Sequence, residues 1–141
     1  MASPSKEEYI LKLILENSPL KEWHFEEMVR EAKVTKAVAN KWLKKYVKEG
    51  LLQHRKERGR FAYFTVGSNN PVYYSHKRVY ALEQLHRSGL LPTLFSLKRA
   101  RAVILFGSMI RGDWYKDSDV DIFVLGEASE FHKNIYELTL K

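Results

Sequence analysis

With 141 residues, 45% of them hydrophobic and 13% aromatic, the chain has material for one domain or two small ones, which excludes a wholly disordered tail. Charged residues at 29% and the lack of a long apolar run exclude a membrane span, and the lack of cysteine excludes disulfides and thiolate metal sites. The amino terminus has neither the basic nor the apolar region of a signal peptide, so the expectation is a cytoplasmic protein that works away from membranes.

The net charge of +7 is concentrated in one place: between Lys33 and Arg60 there are ten lysines and arginines against two acids, Glu49 and Glu57. The elements around this stretch explain its shape. In "SKEEYILKLILEN", Leu11, Ile14 and Leu15 repeat at helical spacing, and Ser5 followed by Glu8 reads as a capping box. Asn17, Ser18 and Pro19 break that helix, and Phe25, Met28, Val29 and Ala32 predict a second one. Thr35 caps a third, with Val38, Trp42, Leu43, Tyr46 and Val47 on its apolar side, lysines on its polar side and Gly50 as the stop. Beyond Gly50, the residues from Glu57 to Arg60 read as a hairpin turn leading into "FAYFTV", which is dense in strand formers.

Three helices followed by a basic hairpin resemble a winged-helix DNA-binding domain over about residues 6 to 67, with "VTKAVANKWLKKYVKEGLL" as recognition helix and "RKERGRFAYFTV" as wing. The resemblance implies that Lys36, Asn40 and Lys41 face base edges, Asn40 being suited to paired hydrogen bonds with adenine. Lys44, Lys45 and Lys48 fall nearer phosphates, and Arg55, Lys56, Arg58 and Arg60 on the wing reach backbone or minor groove. DNA is the expected partner; a solvated lysine face, or a winged helix that binds protein, is the alternative.

Asn70 and Pro71 open a helix that Gly89 closes, with Val72, Val79, Leu82 and Leu85, flanked by Tyr73 and Tyr80, as its apolar stripe. That stripe serves either to pack the two halves or to form a homodimer through residues 70–88. The histidines (His24, His54, His76, His86 and His132) show no ligand spacing, and no metal is assigned to them.

"ARAVILFGS" runs from apolar residues into Gly107 and Ser108, as a strand buried on both faces does when it ends in a tight turn. Ser108 to Arg111 then read as one or two helical turns stopped near Gly112, leaving backbone amides and the Ser108 hydroxyl to receive phosphate. In "SDVDIFVL", Asp119 and Asp121 lie two apart on what reads as a strand, so both carboxylates share a face. Their mutual repulsion calls for a cation, and magnesium suits hard oxygen ligands that also touch substrate phosphates.

These residues, with "RGD" at 111–113 and "DSDVD" at 117–121, resemble the minimal members of the polymerase-beta-type nucleotidyltransferase superfamily from about Leu94 onward. The resemblance implies a mixed sheet with flanking helices, in which Gly107 and Ser108 hold the phosphates of a nucleoside triphosphate and Asp119 and Asp121 hold Mg2+ and serve catalysis. Arg111 either steadies the phosphates or pairs with Asp113 or Asp117. Minimal members often act beside a small helical toxin, which makes such a toxin an expected partner.

Catalytic members use a third carboxylate on a later strand. After Asp121 this chain has only Glu127, Glu130 and Glu137, the last two in "SEFHKNIYELTLK", where Phe131, Ile135 and Leu138 have helical spacing. A fragment of a longer protein, a degenerate binding domain, and a site completed by a partner all fit, and the expectation is weak Mg-nucleotide binding with poor turnover.

The expected fold class is α+β: a winged helix-turn-helix over 1–68, a connecting helix over 69–91 and an α/β nucleotidyltransferase-like module over 92–141. One reading of function is a nucleic-acid-binding protein that transfers a nucleoside monophosphate from a triphosphate to a hydroxyl. The other is a DNA-binding transcriptional regulator whose carboxy-terminal half senses nucleotide or supports a dimer. The regulator needs Lys41 and Arg58 and tolerates loss of Asp121; the enzyme behaves the other way round.

Overall fold

The computed structural model describes residues 5–127 and divides the chain into two compact units, Met1–Tyr73 and Tyr74–Lys141. The fold is mixed α+β with two small antiparallel sheets. None of the helices among the described residues is long and apolar enough to cross a membrane.

In the first unit, helix α1 (Lys6–Leu15) starts at a capping box in which Glu8 N donates to Ser5 Oγ and Ser5 N to Glu8 Oε2, each at 3.2 Å. Helix α2 (Phe25–Ala32) ends on Lys33 in the left-handed conformation. Helix α3 (Lys36–Glu49) is held at its start by Val38 N donating to Thr35 Oγ1 at 3.2 Å, and at its end by Gly50, whose φ of 85° a side chain would resist. The three helices bury Ile10, Ile14, Leu15, Met28, Ala39, Leu43 and Tyr46, and Leu51 and Leu52, which follow α3, are buried as well. The sequence placed Val38, Trp42 and Val47 on that buried face as well. Val38 and Trp42 are only half-buried, while Val47 is exposed, because the face turns through Ala39 instead.

Strands β1 (Gln53–Arg55) and β2 (Tyr63–Thr65) pair antiparallel, and Trp23 adds a bridge to Phe64 through two backbone hydrogen bonds of 2.7 Å. The fully buried Trp23 indole thereby ties the hairpin to the helical core.

Helix α4 (Pro71–Arg87) is capped by Asn70 Oδ1, which accepts from the amides of Val72 and Tyr73. Its expected apolar stripe needs correction. The buried side chains are Tyr73, Lys77, Tyr80, Ala81 and Leu85, while Val79 and Leu82 are 57% and 44% exposed. Gly89 separates α4 from α5 (Leu90–Phe95), a helix the sequence reading did not anticipate.

Strands β3 (Ala100–Phe106) and β4 (Asp121–Gly126) form the second antiparallel pair, with Leu105 opposite Ile122 and Phe106 opposite Asp121. Val103, Leu105 and Ile122 pack against a buried cluster of Leu85, Leu90 and Leu94. The opposite face, with Ile104 opposite Phe123, is about half exposed, so β3 is buried on one face and not on two. Among the described residues the sheet has these two antiparallel strands rather than the mixed arrangement expected. The helix expected around Phe131, Ile135 and Leu138 lies outside the described residues.

Candidate functional site

The turn after β3 is where the second unit brings its motif residues together. Gly107 has φ 83° and ψ −164°, a conformation open essentially to glycine alone. It releases the chain into α6 (Ser108–Arg111), which Gly112 ends at φ 94°. The amides of Ile110 and Arg111 both donate to the Gly107 carbonyl, at 3.2 and 3.0 Å. Those of Ser108 and Met109 are the first of the helix and have no intrahelical acceptor.

Asp121 closes on this turn from the neighbouring strand. A Cβ placed on Gly107 would stand 2.0 Å from Asp121 Oδ2 and 2.9 Å from its Cγ, so the carboxylate occupies the space a side chain at 107 would need. The register that sets Phe106 opposite Asp121 is the cause: it places the first residue of β4 beside the residue that follows β3. Asp121 is half-buried and Asp119 exposed. Asp119 precedes β4 and is not part of the strand, so the alternation expected to carry both carboxylates on one strand face does not operate.

Arg111 is exposed, with Nε 3.4 Å from Asp113, while its carbonyl accepts from Arg78 Nε at 2.9 Å. Among the described residues no three His, Asp or Glu side chains gather as a metal-binding cluster. The donor set still fits a magnesium ion shared with a ligand: carboxylates supply hard oxygens, one of them lies in the cradle left by Gly107, and magnesium ordinarily takes only one or two carboxylates beside substrate phosphates.

Residues 90–141 match the family model described as Polymerase beta, Nucleotidyltransferase. The match takes in α5, β3, α6 and β4, so the Gly-Ser turn and both aspartates lie inside it. Neither the curated proteins nor the solved structures compared with the chain contain a match.

Sequence reasoning missed two side chains that hold the loop between α6 and β4. Trp114, fully buried, donates from Nε1 to the Lys77 carbonyl at 2.9 Å and stacks on Tyr80 at 5.7 Å. Lys77 is 5% exposed; its ammonium donates to the Trp114 carbonyl and lies 4.2 Å from the centre of the indole. Burial pushes the Lys77 amine down to about 8, against a smaller opposing pull from Asp113. A lysine in "SHKRVY" gave no signal in the sequence, although a tryptophan in the charged loop "RGDWYKD" was a visible oddity.

In the first unit the basic residues named from sequence divide into two groups. Lys36 pairs with Glu26 at 3.2 Å, Lys45 lies 3.4 Å from Glu7 and 3.8 Å from Glu49, and Arg60 pairs with Glu57 at 3.0 Å and also with Glu22. Arg55 donates to Gln53 Oε1, and Lys41 lies 5.2 Å from the Trp42 ring centre. Lys44, Lys48, Lys56 and Arg58 are exposed and have no ion pair among the described residues. Asn40 is exposed on α3.

Proposed function

We propose that the second unit binds a magnesium-bound nucleoside triphosphate, with the Gly107–Ser108 turn receiving phosphate and Asp119 and Asp121 facing the metal. The observation that carries this reading is the Asp121 carboxylate lying against Gly107. It sets a hard anionic oxygen beside the turn at which α6 leaves its first amides and the Ser108 hydroxyl for an anion. Bound there, magnesium would neutralise phosphate charge. Asp119 and Asp121 would orient it, and Ser108 would donate to a phosphate oxygen. The reaction class that suits this site is transfer of a nucleoside monophosphate to a hydroxyl. Such transfer needs a further base on the acceptor, and Glu127, the next acid along the chain, is held by Arg99 at 3.3 Å.

Calorimetric titration of ATP tests it. The wild-type chain should give heat that depends on magnesium, and Asp119→Ala/Asp121→Ala should bind at least roughly tenfold more weakly, the lower end of what lost metal-site interactions cost. No magnesium-dependent heat from the wild type, or equal affinity in the variant, would overturn the assignment.

A second reading, nucleic-acid contact through α3 and the β1–β2 hairpin as a winged helix, is favoured by Lys44, Lys48, Lys56 and Arg58, exposed cations with no ion pair among the described residues. Each phosphate neutralised should contribute a slope of about −0.9 to log K against log salt. Lys44→Gln/Lys48→Gln should therefore flatten that slope by roughly 2 in anisotropy titrations of duplex DNA. An unchanged slope would remove α3 from the interface. The exposed Val79 and Leu82 on α4 support a homodimer through that helix as a further element of this reading.

A further inference from the structure

The loop that joins α6 to β4 carries Asp119 and leads directly into Asp121, so whatever seats this loop sets the candidate carboxylates relative to Gly107. Among the described residues, α4 seats it through contacts with the backbone of the loop and of α6 as well as with the Trp114 ring. Arg78 donates to the Arg111 carbonyl at 2.9 Å. Gly112 packs so closely that a Cβ there would lie 2.9 Å from the Tyr74 carbonyl. At Trp114 the exchange is reciprocal: the Lys77 ammonium donates to the Trp114 carbonyl, and the indole returns a hydrogen bond to the Lys77 carbonyl at 2.9 Å.

Building on the nucleotide-site reading, we propose that the Lys77 ammonium is a positioning group for that site, acting through Trp114 to hold the 112–120 loop on α4. Arg78 and the indole act through groups that a helix and a loop commonly share. A lysine whose residue is only 5% exposed is different, because burying its charge costs free energy that a methionine of similar volume would not incur. The charge has a local use in two directions. It strengthens the hydrogen bond to the carbonyl of the buried Trp114, and it attracts the indole face at 4.2 Å. Tyr80, stacked on the same indole at 5.7 Å, fixes the ring against which the ammonium rests. Lys77 touches no reacting atom in this arrangement; it acts on the carboxylates only through the loop.

The chain has no cysteine, so Lys77→Cys introduces a unique thiol. Alkylation of the unfolded variant with 2-bromoethylamine, followed by refolding, rebuilds a side chain of lysine's length that ends in an ammonium. Alkylation with 1-bromopropane builds a neutral one of the same heavy-atom count. The expected result is Mg-ATP affinity reduced about 10-fold to 100-fold in the propyl protein, in the range seen when supporting partners of a metal site are removed, and restored in the aminoethyl protein. The Trp114 indole resonance should shift in the propyl protein and return in the aminoethyl one. A role in packing alone predicts that both adducts bind alike, which would overturn the proposal, as would an indole resonance indifferent to the charge. If the wild type itself binds no Mg-ATP, the nucleotide reading fails, and the indole resonance still decides whether the ammonium holds the loop.

Discussion

Gly107→Ala is expected to destabilise the carboxy-terminal unit by about 1–3 kcal/mol from backbone strain alone, and to abolish magnesium-dependent nucleotide binding. Two separate costs are involved. The backbone at φ 83° and ψ −164° disfavours any side chain, and the new methyl would stand 2.0 Å from Asp121 Oδ2. Only the second cost depends on Asp121. In a double-mutant cycle read by chemical denaturation, Gly107→Ala/Asp121→Ala should be more stable than the sum of its single changes, with a coupling in the range of roughly 0.5–3 kcal/mol seen for residues in contact. All three variants should bind Mg-ATP at least roughly tenfold more weakly than the wild type. Strict additivity would mean that the carboxylate does not sit against residue 107, and the candidate site would lose its central contact.

Features whose causes lie within a few residues were legible in the sequence. Ser5 and Glu8, Thr35 and Gly50, and Gly107 through Gly112 mark helix ends by local chemistry, and the structure ends its helices there. Features decided by packing were not. Helical spacing placed Val79 and Leu82 inside because both are apolar, but α4 buries Lys77 and Ala81 in their place, beside the expected Tyr73, Tyr80 and Leu85. Spacing by twos assumed a strand already under way at Asp119, while pairing with β3 begins only at Asp121. The apolar run in β3 suggested burial on two faces, and an apolar run says nothing of how many faces are covered. The basic stripe was visible as composition. Its division into paired and unpaired cations among the described residues was not, because Glu7, Glu22 and Glu26 come from segments remote in sequence from the lysines and arginine they meet.

The nearness of Gly107 to Asp121 joins the local features to the ones set by packing. Each residue type could be singled out from its neighbours in sequence, but their contact is created by the antiparallel register of β3 and β4. That register is in turn supported from below by Val103, Leu105 and Ile122 on the Leu85, Leu90 and Leu94 cluster. The site thus stands on the covered face of the sheet, although its own residues lie at the strand ends.

Asn70→Asp should destabilise the amino-terminal unit by roughly 2–3 kcal/mol, the scale of buried polar groups left unsatisfied, even though aspartate caps helices as well as asparagine does. The reason lies in the other end of the amide. Nδ2 donates toward the carbonyls of Gly50, Leu51 and Val66 at 3.0, 3.1 and 3.2 Å, joining the end of α3, the start of the hairpin and its return to the cap of α4. Oδ1 meanwhile accepts from Val72 and Tyr73 at 3.0 and 3.4 Å. Aspartate keeps the second set, loses the first and aims an anionic oxygen at three carbonyl oxygens. Asn70→Ala loses both sets but introduces no charge. If capping is the main contribution of Asn70, the aspartate variant will melt like the wild type and the alanine variant will be the weaker. If the amide's donors matter more, as this geometry requires, Asn70→Asp will be at least as unstable as Asn70→Ala. Thermal and urea unfolding of the two variants beside the wild type separates these outcomes, and a stable aspartate variant would show that the three carbonyls do not depend on residue 70.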